Sequence, residues 1–206
     1  GTDSSIKELL NRSTAIKIAD LRFIIMKNKL WLPAFAIVFL TGCTKESGPV
    51  YSGTMTINNK PVATTPTYYT EGFHVPTGKK VADINNSRDI ISVASVFGPA
   101  DYTPIKINFI TNNFKNAFFR FGGYSSSQEA VASFNNLKQF TPPLWTELGD
   151  SVAANQIWLY RTDDDRYAKI RIISTLHEKR PDMPRPYAEC TFEWVFQPDG
   201  TMTFPK

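Results

Sequence analysis

Two long runs near the end of the chain alternate with a period of two, and they limit the fold more than any other feature. In Tyr187 to Phe196, the residues Cys190, Phe192, Trp194 and Phe196 fall on one side and Glu189, Thr191, Glu193 and Val195 on the other. In Arg166 to Leu176, Ala168, Ile170 and Ile172 oppose Tyr167, Lys169, Arg171 and Ile173. Successive side chains of an extended strand point to opposite faces, so this period predicts strands with one face on a core. Thr162-Asp163-Asp164-Asp165 and Gln197-Pro198-Asp199-Gly200 read as turns, with Gln156 to Arg161 before the first and a closing strand, Thr201 to Phe204, after the second.

The same punctuation runs through the middle of the chain. Val50 to Ile57, Tyr68 to Val75, Ile90 to Phe97, Ile105 to Ile110 and Ala117 to Phe121 read as strands, with Asn58-Asn59-Lys60-Pro61, Pro76-Thr77-Gly78, Gly98-Pro99 and Gly122-Gly123 as breaks. One segment has helical spacing. Ser126 precedes Glu129 by three residues, the pattern of a capping box, and Val131, Phe134 and Leu137 recur in a run reaching Phe140 before Thr141-Pro142-Pro143. These elements predict an α+β fold, mainly antiparallel β-sheet (a sandwich or a meander), with one central helix, in a single domain spanning residues 50–206. A domain of this size buries enough apolar surface to need neither disulfides nor a metal for stability.

Residues 26–42 read as a lipoprotein signal peptide. Lys27 and Lys29 form a basic start, Leu30 to Leu40 an apolar stretch shorter than the roughly 20 residues of a membrane-spanning helix, and Thr41-Gly42 a small-residue cleavage site. Leu40-Thr41-Gly42-Cys43 resembles the lipobox of bacterial lipoproteins. That resemblance implies acylation of Cys43 and cleavage just before it, so that two or three acyl chains anchor the protein. Residues 1–25 lie upstream of this signal and read as upstream or mis-started sequence, and residues 43–49 as a short tether. Thr44 in the second mature position argues against retention in the inner membrane, and Lys45-Glu46 after it resembles a fragment of the acidic export signal of surface lipoproteins of the Bacteroides group, a resemblance that implies an outer-membrane lipoprotein at the cell surface. Of the 23 basic and 19 acidic residues, six and three fall in residues 1–42. The remainder is nearly neutral and has no basic stripe, which argues against a nucleic-acid partner. With Cys43 acylated, Cys190 has no disulfide partner, and its place in a strand predicts a buried, inert thiol.

Ile157 to Ser174 and Tyr187 to Phe204 resemble the C-terminal hairpins of small lipoproteins of the Bacteroides group, some grouped with the HmuY-like haem-binding lipoproteins. Tyr167-Ala168-Lys169 and Gln197-Pro198-Asp199-Gly200 are the most distinctive elements. The resemblance implies a β-rich haemophore that grips haem iron by two axial side chains, histidines in the founding member, and passes its cargo to an outer-membrane transporter. This chain has two histidines, His74 and His177. Both are candidate ligands, although neither falls in a segment that aligns with the family's ligand positions, and a hydrogen-bonded loop histidine is the competing reading of each. Met55, Met183 and Met202 are alternative soft ligands.

Asp163-Asp164-Asp165 offers oxygens for calcium but lacks the spacing of an EF-hand, so an ordinary hairpin tip is expected. Gly-x-Ser-x-Gly, His-Glu-x-x-His, Cys-x-x-Cys and phosphate-cradling glycine loops are missing from the sequence, which leaves the common hydrolase, zinc and nucleotide chemistries without support. Glu189 and Glu193 are expected to balance Lys169 and Arg171 across the sheet. Tyr68, Tyr69 and Tyr124 lie in or near loops, where an aromatic face stacks on a sugar ring or a porphyrin. Two functions follow as expectations. One is a non-enzymatic binding lipoprotein that captures haem or a glycan. The other is an envelope structural or protein-interaction lipoprotein without a small ligand.

Overall fold

The computed structural model describes residues 51–63, 69–82 and 88–205, and the lipobox, Cys43 and Tyr68 lie outside them. The strands are β1 (Ser52–Asn58), β2 (Pro61–Ala63), β3 (Tyr69–His74), β4 (Lys79–Ala82), β5 (Ile90–Phe97), β6 (Pro104–Thr111), β7 (Phe118–Gly123), β8 (Gln156–Arg161), β9 (Tyr167–Glu178) and β10 (Tyr187–Gln197). A 3-10 turn, Val75–Thr77, follows β3, and one helix, α1 (Ser127–Asn136), follows β7. The larger sheet has the order β1-β10-β9-β8-β7, and the smaller runs β2-β3-β5-β6 with β4 paired to β3. Every strand pairing is antiparallel. The chain is therefore mainly antiparallel sheet with a single helix among its described residues.

The alternation at the end of the chain produces the core. Cys190, Phe192, Trp194 and Phe196 from β10 and Ala168, Ile170 and Ile172 from β9 are fully or nearly fully buried against Phe73, Ile91, Val93, Ile107 and Phe109 of the smaller sheet. Phe73 bridges the two layers, with ring centroids 5.4 Å from Phe192 and 4.9 Å from Trp194. Two edges, one from each sheet, are closed by a single loop. Gly149 exchanges backbone hydrogen bonds with Phe109 of β6 (2.8 and 2.9 Å), and Thr146 does so with Phe118 of β7 (3.0 and 2.8 Å). An antiparallel edge left unpaired is a template for aggregation, and this loop occupies part of both.

A bulge in β9 changes the sequence-based assignment of faces. Phe192 pairs with Ile172 and Thr191 with Ser174, so Ile173 is the extra residue. One extra residue reverses which side chains face inward. Before the bulge the even-numbered residues line the core; after it Thr175 and His177 stand opposite Cys190 and Ala188, which are both in the core. His177 is thereby turned toward the smaller sheet.

A third layer covers the outer face of the larger sheet. The capping box forms: the Ser126 hydroxyl accepts from the Glu129 backbone N–H (3.2 Å), while the Glu129 carboxylate accepts from the N–H and hydroxyl of Ser125 (3.1 and 2.8 Å). Phe134 and Leu137 then pack with Ile157, Leu159, Tyr167 and Phe204. The helix ends at Asn136 rather than reaching Phe140, because Phe140 swings out to stack on Phe204 (5.6 Å) and to meet Tyr167 edge-on (5.2 Å). Two further expectations are corrected. Thr201 to Phe204 makes only an isolated bridge, Thr203 to Gln139, instead of a strand paired with β10. Gly122-Gly123 does not break β7 after Phe121; the strand passes a bulge between Arg120 and Gly122, pairs both glycines with β8 and ends at Gly123. β2 and β4 had no periodic signal, since each is four residues or fewer.

Candidate functional site

A groove of about 900 Å3 lies on the outer face of the larger sheet, beside the helix layer. Register explains its floor. Phe119 of β7 stands opposite Leu159 of β8, Leu159 opposite Lys169 of β9, and Lys169 opposite Val195 of β10, so these four form one row across the outer face. The helix covers the middle of the row and leaves the β7 end open. There Phe119, Phe121 and Leu159 form the floor, and Phe140, Pro143, Leu144 and Met202 rise around it. Phe121 belongs to the β7 bulge, which releases it from pairing. It remains 40% exposed, and Leu144 at the rim is 88% exposed. Behind the groove, Phe140, Phe204, Tyr167 and Trp145 are linked by ring contacts of 5.2 to 6.4 Å, which form a continuous aromatic wall. A volume of this size lies in the range of small-molecule sites, about 300–1,000 Å3, and a mostly apolar lining is their usual character.

The sequence-predicted site residues lie elsewhere. His74 is on the outer face of the smaller sheet, opposite in direction to the buried Phe73 and paired with Ile90 at the start of β5. Its Nδ1 is 2.7 Å from the Thr77 hydroxyl. His177 contacts the Ser95 hydroxyl through Nε2 at 2.8 Å, and Ser95 shares the inner face of β5 with Ile91 and Val93. The two imidazoles thus engage opposite faces of one strand, five residues apart, or about 17 Å at the rise of an extended chain. They do not converge on a common centre. Burial lowers the pKa of both below the ordinary histidine value. Tyr69, half-buried, lines a shallow depression on the smaller sheet with Thr70, Ser92 and Ile110. Tyr124 folds back over Gly122, its hydroxyl 2.5 Å from Ser133 Oγ, and joins the helix-layer cluster.

The charged groups are committed to local roles. At the β8–β9 turn Asp163 pairs with Arg88, Asp164 with Arg166 (2.5 Å) and Asp165 with Lys115 (2.8 Å), so each carboxylate has its own cation. Among the described residues, no group of three or more His, Cys, Asp or Glu side chains is placed to hold a metal. Arg171 pairs with Glu193 at 2.8 Å as the pattern predicts. Lys169 does not use a carboxylate: its ammonium donates to the backbone carbonyls of Phe134 (2.8 Å) and Leu137 (2.9 Å) at the helix C-terminus. Cys190 is fully buried and burial pushes its thiol pKa up, so it is held as an unreactive thiol.

The groove was missed because its parts are remote in sequence. Phe118, Phe119 and Phe121 carried the one local signal, aromatic residues on both faces of a strand, which is excessive for an edge strand with one solvated face. Met202 and Phe140 reach the groove only through the bridge between Thr203 and Gln139. No family model, curated protein or solved structure matches the chain.

Proposed function

We propose that this protein is a non-enzymatic binding lipoprotein, anchored through Cys43 in the outer membrane at the cell surface, that captures a small nutrient for an outer-membrane transporter. The observation that carries this reading is the aromatic groove over Phe119 and Phe121, a concave apolar site left uncovered beside an otherwise closed helix layer. Haem and a glycan are the two nutrients considered. Aromatic faces suit both, and Met202 adds a thioether to the lining. A haem held here would not use His74 and His177 together. The fold read this way is a two-sheet sandwich whose outer face carries the site.

The test is a haemin titration and a glycan array on wild type and on Phe121→Asp, with palmitate labelling of wild type and Cys43→Ala alongside. Binding lost in Phe121→Asp is expected, together with label on wild type only. Binding unaffected by Phe121→Asp would remove the groove as the site, and an unlabelled wild type would remove the anchor. The second reading is a protein-interaction lipoprotein. It is favoured by the 88% exposure of Leu144 beside the terminal strand β7, since an apolar side chain so placed suits a protein contact.

A further inference from the structure

The groove is chemically lopsided. Its lining contains no charged side chain. A second depression, of about 440 Å3, shares Phe121 and Gln139 with it and continues toward the end of the helix, where Ser133, Asn136 and Lys138 replace the aromatic surface. Lys138 is the only ionised side chain lining either depression. The trough therefore passes from an apolar body to a polar end with one exposed cation.

The end of a helix is ordinarily a poor place for an anion, because unpaired carbonyls give it a partial negative charge. Here that charge is answered from within. Lys169, 2% exposed, donates to two of these carbonyls, and Glu193, the acid whose charge acts on it, is already paired with Arg171. Lys138, Lys169 and Glu193 all line a neighbouring depression at the helix end, where, after burial, repulsion from Lys138 lowers the Lys169 pKa and the Glu193 carboxylate works against that lowering. An anion beside Lys138 would relieve that repulsion.

We propose that the trough binds an amphiphile with an apolar body and an anionic head, of which a long-chain carboxylate is the minimal example. The body lies on Phe119, Phe121, Phe140 and Met202 and the head at Lys138. This rests on the binding-protein reading above and narrows it to a ligand class. The full chain is titrated calorimetrically with dodecanoate and with dodecyltrimethylammonium, which share a chain length and differ in head charge, each below its micelle concentration. Dodecanoate is expected to bind about two- to fivefold more tightly, the scale of one partly exposed charge pair. Lys138→Glu should abolish or reverse that preference, and Phe121→Asp should abolish binding of both, with circular dichroism confirming that each variant is folded. Equal binding of the two probes, or a preference that survives Lys138→Glu, overturns the assignment of the anionic head. If neither probe binds while haemin or a glycan still does so through Phe121, the ligand class falls and the binding reading stands. If nothing binds through Phe121, both fall.

Discussion

Lys169 shows how a single residue is made to serve the fold at an electrostatic cost. Its side chain crosses from the row Phe119–Leu159–Lys169–Val195 into the helix layer, where its ammonium satisfies Phe134 and Leu137 carbonyls and lies over the Phe134 ring at 4.5 Å. Burial first, and then repulsion from Lys138, push its pKa down to about 8. The folded-state pKa is thus below the unfolded value, near 10.4, and the unfolded chain binds more protons between the two. Stability contributed by this group therefore rises with pH across about 8 to 10.4, as the buried amine sheds its charge and keeps two N–H donors for two carbonyls. Lys169→Met removes the titration along with the hydrogen bonds. Urea unfolding at pH 7, 9 and 10.4 should show the stability deficit of the variant widening as pH rises, because groups common to both proteins cancel in the difference. A deficit that stays flat across this window would mean that the ammonium is solvated in the folded state. Sequence alone placed Lys169 correctly on the outward face but gave it an acidic partner across the sheet. The true partners are backbone carbonyls, which no pattern of side chains can announce.

At the scale of elements, legibility followed periodicity. β8, β9, β10 and the start of α1 were readable because Ile170, Phe192 and Trp194 alternate cleanly and Ser126 and Glu129 sit at capping distance. The smaller sheet was less so, and Gly72 shows why. It lies in β3 opposite Val81 of β4, in a short strand that also meets β5. A Cβ there would lie 2.2 Å from Ile90 Cγ2, 2.6 Å from Ser92 Oγ and 2.9 Å from the Ile91 carbonyl oxygen. The close approach of β3 to β5 depends on a missing side chain, and a glycine within a strand pattern reads only as a weakness. Gly72→Ala should destabilise the domain by about 2 kcal/mol, the middle of the range for forcing an extra carbon into packed space. The measurement is the denaturant midpoint. An unchanged midpoint would show that β3 can move away from β5 at no cost, and the register of the smaller sheet would then be loosely held. The bulge at Ile173 is a parallel case. The sequence kept a period of two through it, and only the pairing with Thr191 and Phe192 reveals that His177 faces inward.

At the largest scale, the two sheets are joined by a buried polar knot as well as by the core. Asp89, 6% exposed and just before β5, accepts hydrogen bonds through Oδ1 from the Asp163 N–H (2.8 Å), Asn113 Nδ2 (3.2 Å) and the Tyr160 hydroxyl (3.3 Å). Asn113 follows β6, Tyr160 belongs to β8, and Asp163 opens the turn between β8 and β9, so one carboxylate ties the two sheets together where that turn lies. Its backbone has φ of 62°, a left-handed conformation that Asp and Asn tolerate better than other residues with a Cβ. Burial dominates over these hydrogen bonds and raises the Asp89 pKa above the ordinary value. A raised carboxylate pKa means that the folded state holds its proton more tightly than the unfolded chain. This group therefore contributes more stability as pH falls from the folded pKa toward about 3.9 than it does at neutral pH. Two substitutions separate shape from charge. Asp89→Asn preserves the left-handed backbone and an accepting oxygen, and it should cost little at pH 7 while removing the relative gain on acidification. Asp89→Ala leaves the Asp163 N–H, Asn113 and Tyr160 without their acceptor and strains the backbone, and it should cost about 2–4 kcal/mol at either pH. Urea unfolding at pH 7 and pH 4.5 checks both. A loss in Asp89→Asn as large as that in Asp89→Ala would show that the charge, rather than the shape of the knot, holds the sheets together.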